Sequence, residues 1–364
     1  MRFRLWFLPS VISILVLAGC SSSNPGNKLA GTGAETTQIT GAGSTFVYPI
    51  MTQWIQQFAQ EKKGVQINYQ SIGSGGGIQQ LKQGVVDFGA SDMALDNQKL
   101  QEMPPLVQVA ESAGPVAITY NLPDLKQPLK LSGETLSDIY MGKIKNWQDG
   151  QIRKDNPGVN LPKSDIVVVH RSDGSGTTNI FTTYLAAVSP EWNKKVGKGL
   201  SVNWPLGLGG KGSEGVTGMV KQSPGAIGYV ELSYAVENKL PMVQVRNEAG
   251  QYVTPSAETT SAAIDAFSSE LQKDVRNPIV NPPASAKDAY PISGLTFLLI
   301  PKTPKSGTKG TDVKDFVEYI ITNGQSMADQ LHYAKLPDSL QQIDKNLLQQ
   351  VQGANSAGGQ PGSE

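Results

Sequence analysis

An α/β fold, with ligand groups gathered at the carboxyl ends of its strands, is what the sequence predicts. Short apolar strands alternate with segments whose apolar residues recur at helical spacing. Three turns carry runs of glycine and hydroxyl residues: Gly-Ser-Thr-Phe at 43–46, Gly-Ser-Gly-Gly-Gly at 73–77 and Arg-Ser-Asp-Gly-Ser-Gly-Thr-Thr at 171–178. An acid, Asp92, stands just beyond the end of another strand. In open α/β sheets such strand ends are where ligands bind.

The first helix spans 46–60, with Val47, Ile50, Trp54, Ile55 and Phe58 on one face. A strand at 65–69 leads into the triple-glycine turn, and Ile78 and Leu81 mark the short helix after it. Further strands read at 85–90, 107–110 and 116–120. In the middle of the chain an apolar strand at 166–170 feeds Arg171. The helix that follows carries Ile180, Phe181, Tyr184, Leu185 and Val188 on one side. A strand at 295–300 and an amphipathic helix at 312–323 come near the end.

The chain of 364 residues has room for two lobes, and its 38% hydrophobic and 17% charged residues suit a folded globular protein. Lys plus Arg and Asp plus Glu both number 31, which excludes a nucleic-acid footprint. The start of the chain is different. Arg2 and Arg4 precede an apolar run at 5–17, too short to span a bilayer, and Leu17-Ala18-Gly19-Cys20 follows. This leader, residues 1–19, resembles a bacterial lipoprotein signal, in which Cys20 becomes the acylated mature N-terminus in the cell envelope. It is the single cysteine, so no disulfide forms within the chain. Cleavage would remove both arginines, leaving 29 basic against 31 acidic side chains. Such a protein binds an anion through local dipoles and not through bulk potential. Residues 20–38 and 351–364, rich in Ser, Gly and Asn, read as a flexible tether and tail.

Helix starts leave N–H groups unpaired at the positive end of the helix dipole, and glycine lets an anion approach them. Ser44, Thr45, Ser74 and Ser175 could each be a simple helix cap. Together with Arg171 and Asp92 they describe a cage for a small oxyanion. Asp92 would repel a bare anion but accepts a hydrogen bond from a protonated one. The Gly-x4-Gly-Lys-Ser/Thr phosphate loop is absent, since 207–213 lacks its spacing, 73–77 does not complete Gly-x-Gly-x-x-Gly, and no Gly-x-Ser-x-Gly hydrolase elbow occurs. With only His170 and His332, a catalytic triad has little support, and no spacing suits a metal. His170 reads as the end of its strand.

At these residues the chain resembles the periplasmic phosphate-binding proteins of bacterial ABC phosphate transporters. The resemblance rests on residues 41–46, 69–77, 86–92, 138–147, 171–177, 204–212, 224–231 and 333–337, and covers about 39–345. It implies a two-lobed periplasmic-binding-protein fold, type II-like, with phosphate in the interlobe cleft. One lobe would be 39–120 plus 291–350 and the other 121–290, the chain crossing near Tyr120 and returning near Pro291. Carried over by motif, Ser44, Thr45 and Phe46 supply hydroxyl and backbone donors, Ser74 adds another, and Asp92 takes the phosphate proton. Arg171, Ser175, Gly176 and Thr177 come from the other lobe. Ser44 stands where family members often carry Ala. The role implied is capture of inorganic phosphate by a monomer, without catalysis or cofactor. The loaded receptor would pass its ligand to ABC permease subunits and their ATPase. A receptor for another tetrahedral oxyanion and a phosphate-ester hydrolase are the alternatives.

Overall fold

Eight strands form one sheet in the computed structural model, which describes residues 36–304 and 307–352. The expected leader and Cys20 lie outside the described residues. β1 (Thr37–Gly43), α1 (Tyr48–Glu61), β2 (Val65–Ser71), α2 (Ser74–Lys82), β3 (Phe88–Ser91) and α3 (Asn97–Gln101) come first. β1 lies between β2 and β3 and runs parallel to both. α1 buries Ile50, Met51, Trp54 and Phe58, the helical stripe read from the sequence with Met51 added and Ile55 only partly buried. It starts two residues later than expected, because the segment 44–47 makes a turn at the end of β1.

β4 (Leu106–Tyr120) is fully buried along its 15 residues. It joins two strands expected separately at 107–110 and 116–120. Its first part pairs with β11 (Ser293–Pro301) up to Pro115, and Val116 to Tyr120 pair with β8 (Ala226–Glu231). Pro115 has no N–H to give the ladder, and the change of partner falls there. β4 therefore ties the β2-β1-β3-β11 half of the sheet to the half made by β8, β6 (Val167–Arg171) and β7 (Leu208–Gly210). In that second half β6 is parallel to β7 and β8.

Between β4 and β6 come β5 (Lys130–Leu131), α4 (Gly133–Tyr140) and α5 (Gly150–Asp155). α6 (Gly176–Val188), α7 (Pro190–Lys195), α8 (Gly212–Gln222) and α9 (Leu232–Glu237) then cover the second half. β9 (Gln244–Arg246) and β10 (Tyr252–Val253) complete a small sheet with β5. α10 (Ala257–Ala266) and α11 (Ser268–Lys273) carry Ile264 and Leu271 into a cluster with Leu106, Leu299, Leu336 and Leu340. The stretch 121–290 thus contributes to the cores of both halves. α12 (Gly307–Ile321) and α13 (Asp338–Leu348) close the described chain, and Val351 is still buried, with the Gln352 N–H bonded to the Lys302 carbonyl.

Candidate functional site

Every loop the sequence singled out lies at the carboxyl end of a strand. After β1, Gly43 has φ +144°, and a Cβ there would overlap the Ala90 carbonyl. Its glycine lets the turn lie flat on β3, so that the Ser44 N–H donates to Ala90 O at 2.9 Å. The buried Ser44 hydroxyl then donates to Asp92 Oδ1 and accepts the Phe46 N–H at 3.0 Å. Ser44 therefore does more than offer a backbone N–H: its side chain orients the acid. The Phe46 ring is buried edge-on to Tyr333 at 6.2 Å between centroids, and the Phe46 carbonyl accepts the Tyr333 hydroxyl at 2.6 Å.

Gly73, with φ +85°, opens α2. Ser74 follows, fully buried, and its oxygen accepts the Asp92 N–H at 3.3 Å and the Gly176 N–H at 3.1 Å. One hydroxyl thus joins the end of β3 to the start of α6. The Gly75 N–H donates to Gly174 O at 2.9 Å, a second tie between the same loops. At Gly176 a Cβ would stand 2.5 Å from both Asp92 Cβ and Oδ2, so only glycine permits this approach.

From β6 the Arg171 side chain enters almost completely buried, and Nε and Nη2 grip Asp173 in a two-point bond at 2.8 and 2.6 Å. Nη1 reaches Thr177 Oγ1 at 3.5 Å. Burial works against the Asp173 charge, but the guanidinium outweighs it and holds the carboxyl below its usual range. Ser175 is buried, yet its hydroxyl caps α6 through the Thr178 N–H at 3.1 Å. β6 runs one residue past the expected end at His170, because Arg171 still pairs with Gly210 of β7; the His170 ring stacks on Trp204 at 4.8 Å and pairs with the Arg171 carbonyl at 3.0 Å.

Asp92 is the electrostatic centre of the arrangement. Burial pushes its carboxyl up to about 7, against the Ser44 hydroxyl, the Arg171 charge and the Ser74 hydroxyl, which pull it down. It stands close to the balance between its two protonation states at neutral pH. A carboxyl in that condition, ringed by hydroxyls and one guanidinium, can exchange a hydrogen bond with an acidic oxyanion. Among the described residues no group of three His, Cys, Asp or Glu side chains is placed to hold a metal ion.

Sequence reasoning missed Ser213. Its hydroxyl pairs with Thr45 Oγ1 at 2.8 Å, and its N–H donates to the same oxygen at 3.3 Å. Ser213 opens α8 after β7 through Gly209, Gly210 and Gly212, the same glycine-and-hydroxyl pattern that marked the other loops. In the sequence that segment fails as a nucleotide loop and carries part of the family resemblance up to Gly212, and neither reading reaches Ser213 as a site residue. Asp173, besides pairing with Arg171, accepts the Gly212 N–H at 3.0 Å and so joins two loops that are far apart in the sequence. Tyr234 carries no sequence signal, and Tyr69 stands in the sequence only as the end of a strand and the start of a resemblance segment. Their hydroxyls, at 2.7 and 2.8 Å, clamp the carbonyls of Thr45 and Ser44.

The model of the PBP superfamily domain matches residues 30–323. A phosphate-binding protein PstS of Xylella fastidiosa strain Temecula1 is 42% identical over 352 residues, covering 93% of this chain and 96% of the relative. The PstS of Pasteurella multocida strain Pm70 is 43% identical, with 86% and 91% covered. Among solved structures, a high-affinity periplasmic phosphate-binding protein, PfluDING, bound with phosphate, has the same two-lobed fold at a TM-score of 0.69. Its sequence identity is 24%, and 85% of this chain and 93% of that one are covered. With a family match across most of its length and close relatives spanning nearly all of it, the chain belongs to the PBP superfamily and, within it, to the PstS phosphate-binding proteins.

Proposed function

We propose that this protein is an extracytoplasmic receptor that captures inorganic phosphate and delivers it to an ABC-type importer, without chemistry of its own. The observation that carries the reading is Asp92, a buried acceptor among hydroxyls, N–H groups and Arg171, joined through Ser74 to the loop at the start of α6. Phosphate keeps a proton at neutral pH and can donate it to Asp92, while its other oxygens accept from Ser44, Thr45, Phe46, Ser74, Arg171, Ser175, Gly176 and Thr177. A sulfate receptor is disfavoured, because sulfate has no proton for Asp92. A hydrolase is disfavoured too, since the His170 ring is engaged by the Arg171 carbonyl and stacked on Trp204 instead of activating a hydroxyl.

The donors come from both halves of the sheet, so neither half satisfies the anion alone. Phosphate would favour the closed arrangement and give a permease a signal of loading. The lobes would meet where β4 and β11 cross, with the border near Pro115 and Ser293, and with α10 and α11 belonging to the β1–β3 side. Acylation at Cys20 would hold the receptor, as a monomer in the periplasm, beside the membrane. Equilibrium binding of labelled phosphate, with arsenate and sulfate as competitors, tests the reading. Arsenate should compete and sulfate should not at pH 8; equal competition by sulfate would remove the role of Asp92. Solution scattering with and without phosphate should show compaction on loading.

A further inference from the structure

β4 carries one acid that the site as described does not use. Along the β4–β11 ladder Thr296 faces Ser112 and Phe297 faces Ala110, so Glu111 is an extra residue on β4. Such a bulge re-aims its side chain, and here it turns a carboxyl into the interior. Glu111 is fully buried, and neither carboxyl oxygen has a well-formed hydrogen bond. The Ser112 and Thr296 hydroxyls are buried and unpartnered as well. Among the described residues no lysine, arginine or histidine pairs with Glu111, so the ionised form has only the nearby Thr296 hydroxyl, and no positive charge, to offset its burial.

The groups that act on Glu111 connect it to the anion site. Asp92, beyond β3, disfavours its ionisation. Tyr69 on β2, which clamps the Ser44 carbonyl, is pushed up by burial and then by the charges of Glu111 and Asp92. From β11 Thr296 faces the carboxyl, and the neutral Gln325 holds the Glu111 carbonyl at 2.9 Å. Asp344 on α13 is a further buried acid, bound to the adjacent Ala110 N–H at 3.0 Å. Arg171, the guanidinium that acts on Asp92, is already committed to Asp173. Burial raises Glu111 well above the usual carboxyl range, and the Asp92 charge adds to this.

We propose that Glu111 is a second carboxyl of the anion site: it stays protonated while the anion is bound, and loss of that proton as pH rises weakens binding. The ladders set Ser91 opposite Phe297 and Phe297 opposite Ala110, so Glu111 lies level with the end of β3 and two strands across from it, where a new negative charge opposes an anion without touching it. Glu111 is thus a positioning residue for charge and not a ligand. The inference rests on the phosphate reading above.

The experiment measures the phosphate dissociation constant of the whole protein and of Glu111→Gln between pH 7 and pH 10. Gln keeps the shape and cannot ionise. The wild type should lose affinity towards pH 10 by about tenfold more than the variant. Infrared difference spectra of the wild type alone should contain a protonated-carboxyl band that fades over the same pH range, a readout available even if the variant folds poorly. Parallel binding profiles in two well-folded proteins, or a wild-type carboxyl band unchanged up to pH 10, would overturn the role of Glu111 and leave phosphate binding intact. Absence of phosphate binding at every pH would overturn both readings.

Discussion

Sulfate offers a direct test of how Asp92 selects its anion. Sulfate has no proton at neutral pH, so beside an ionised Asp92 it sets acceptor against acceptor in a buried site. Protonating Asp92 removes the conflict, since the neutral carboxyl can donate. Burial pushes that carboxyl up to about 7. The required proton is therefore already in place below neutrality and costs about 1.4 kcal/mol for each pH unit above it. Sulfate should bind with a nearly constant dissociation constant below about pH 6.5, then weaken about tenfold per pH unit and about 100-fold by pH 9. Phosphate still has a proton to give across that range and should not follow this slope. Displacement of labelled phosphate by sulfate at fixed ionic strength, from pH 5.5 to pH 9, measures both. In Asp92→Asn the amide presents a donor at every pH, so the sulfate slope should vanish. Sulfate competition in the wild type that is independent of pH, or that strengthens as pH rises, would refute the reasoning.

Three other outcomes follow from the same contacts. Because the folded-state value of Asp92 is raised from its ordinary 3.8 to about 7, its favourable contribution is complete below 3.8 and is lost as pH rises through about 7. Asp92→Asn should thus stabilise the phosphate-free protein at pH 8 by up to about 4 kcal/mol and give no such gain at pH 3.5, as read by urea unfolding at both. Ser44→Ala removes the hydroxyl that most lowers the Asp92 value, so the sulfate midpoint should move to higher pH in the same competition assay. Arg171→Ala deletes a guanidinium and strands the Asp173 carboxylate; thermal or urea unfolding should record a loss of about 3–5 kcal/mol, more than a single hydrogen bond is worth.

Local chemistry was legible in the sequence. Apolar periodicity located the buried stripe of α1, and glycine followed by a hydroxyl located the turns at 43–46, 73–77 and 171–178, because these signals depend on neighbours within one helical turn. The position of Asp92 beyond a strand also marked it as a ligand group. Only the tertiary structure decided which loops meet. Ser74 reaches Gly176 across 102 positions and Thr45 reaches Ser213 across 168, distances over which sequence spacing carries no geometric information. It also decided that two expected strands are one continuous β4, since the partner changes at Pro115 while the chain stays extended. The state of the buried acids was decided in the same way. An Asp or Glu is ionised by default, and Asp92 and Glu111 depart from that default because the surrounding strands and helices remove water. The residue types needed to hold an oxyanion are thus written in short segments of the chain, whereas their protonation and mutual contact are products of burial.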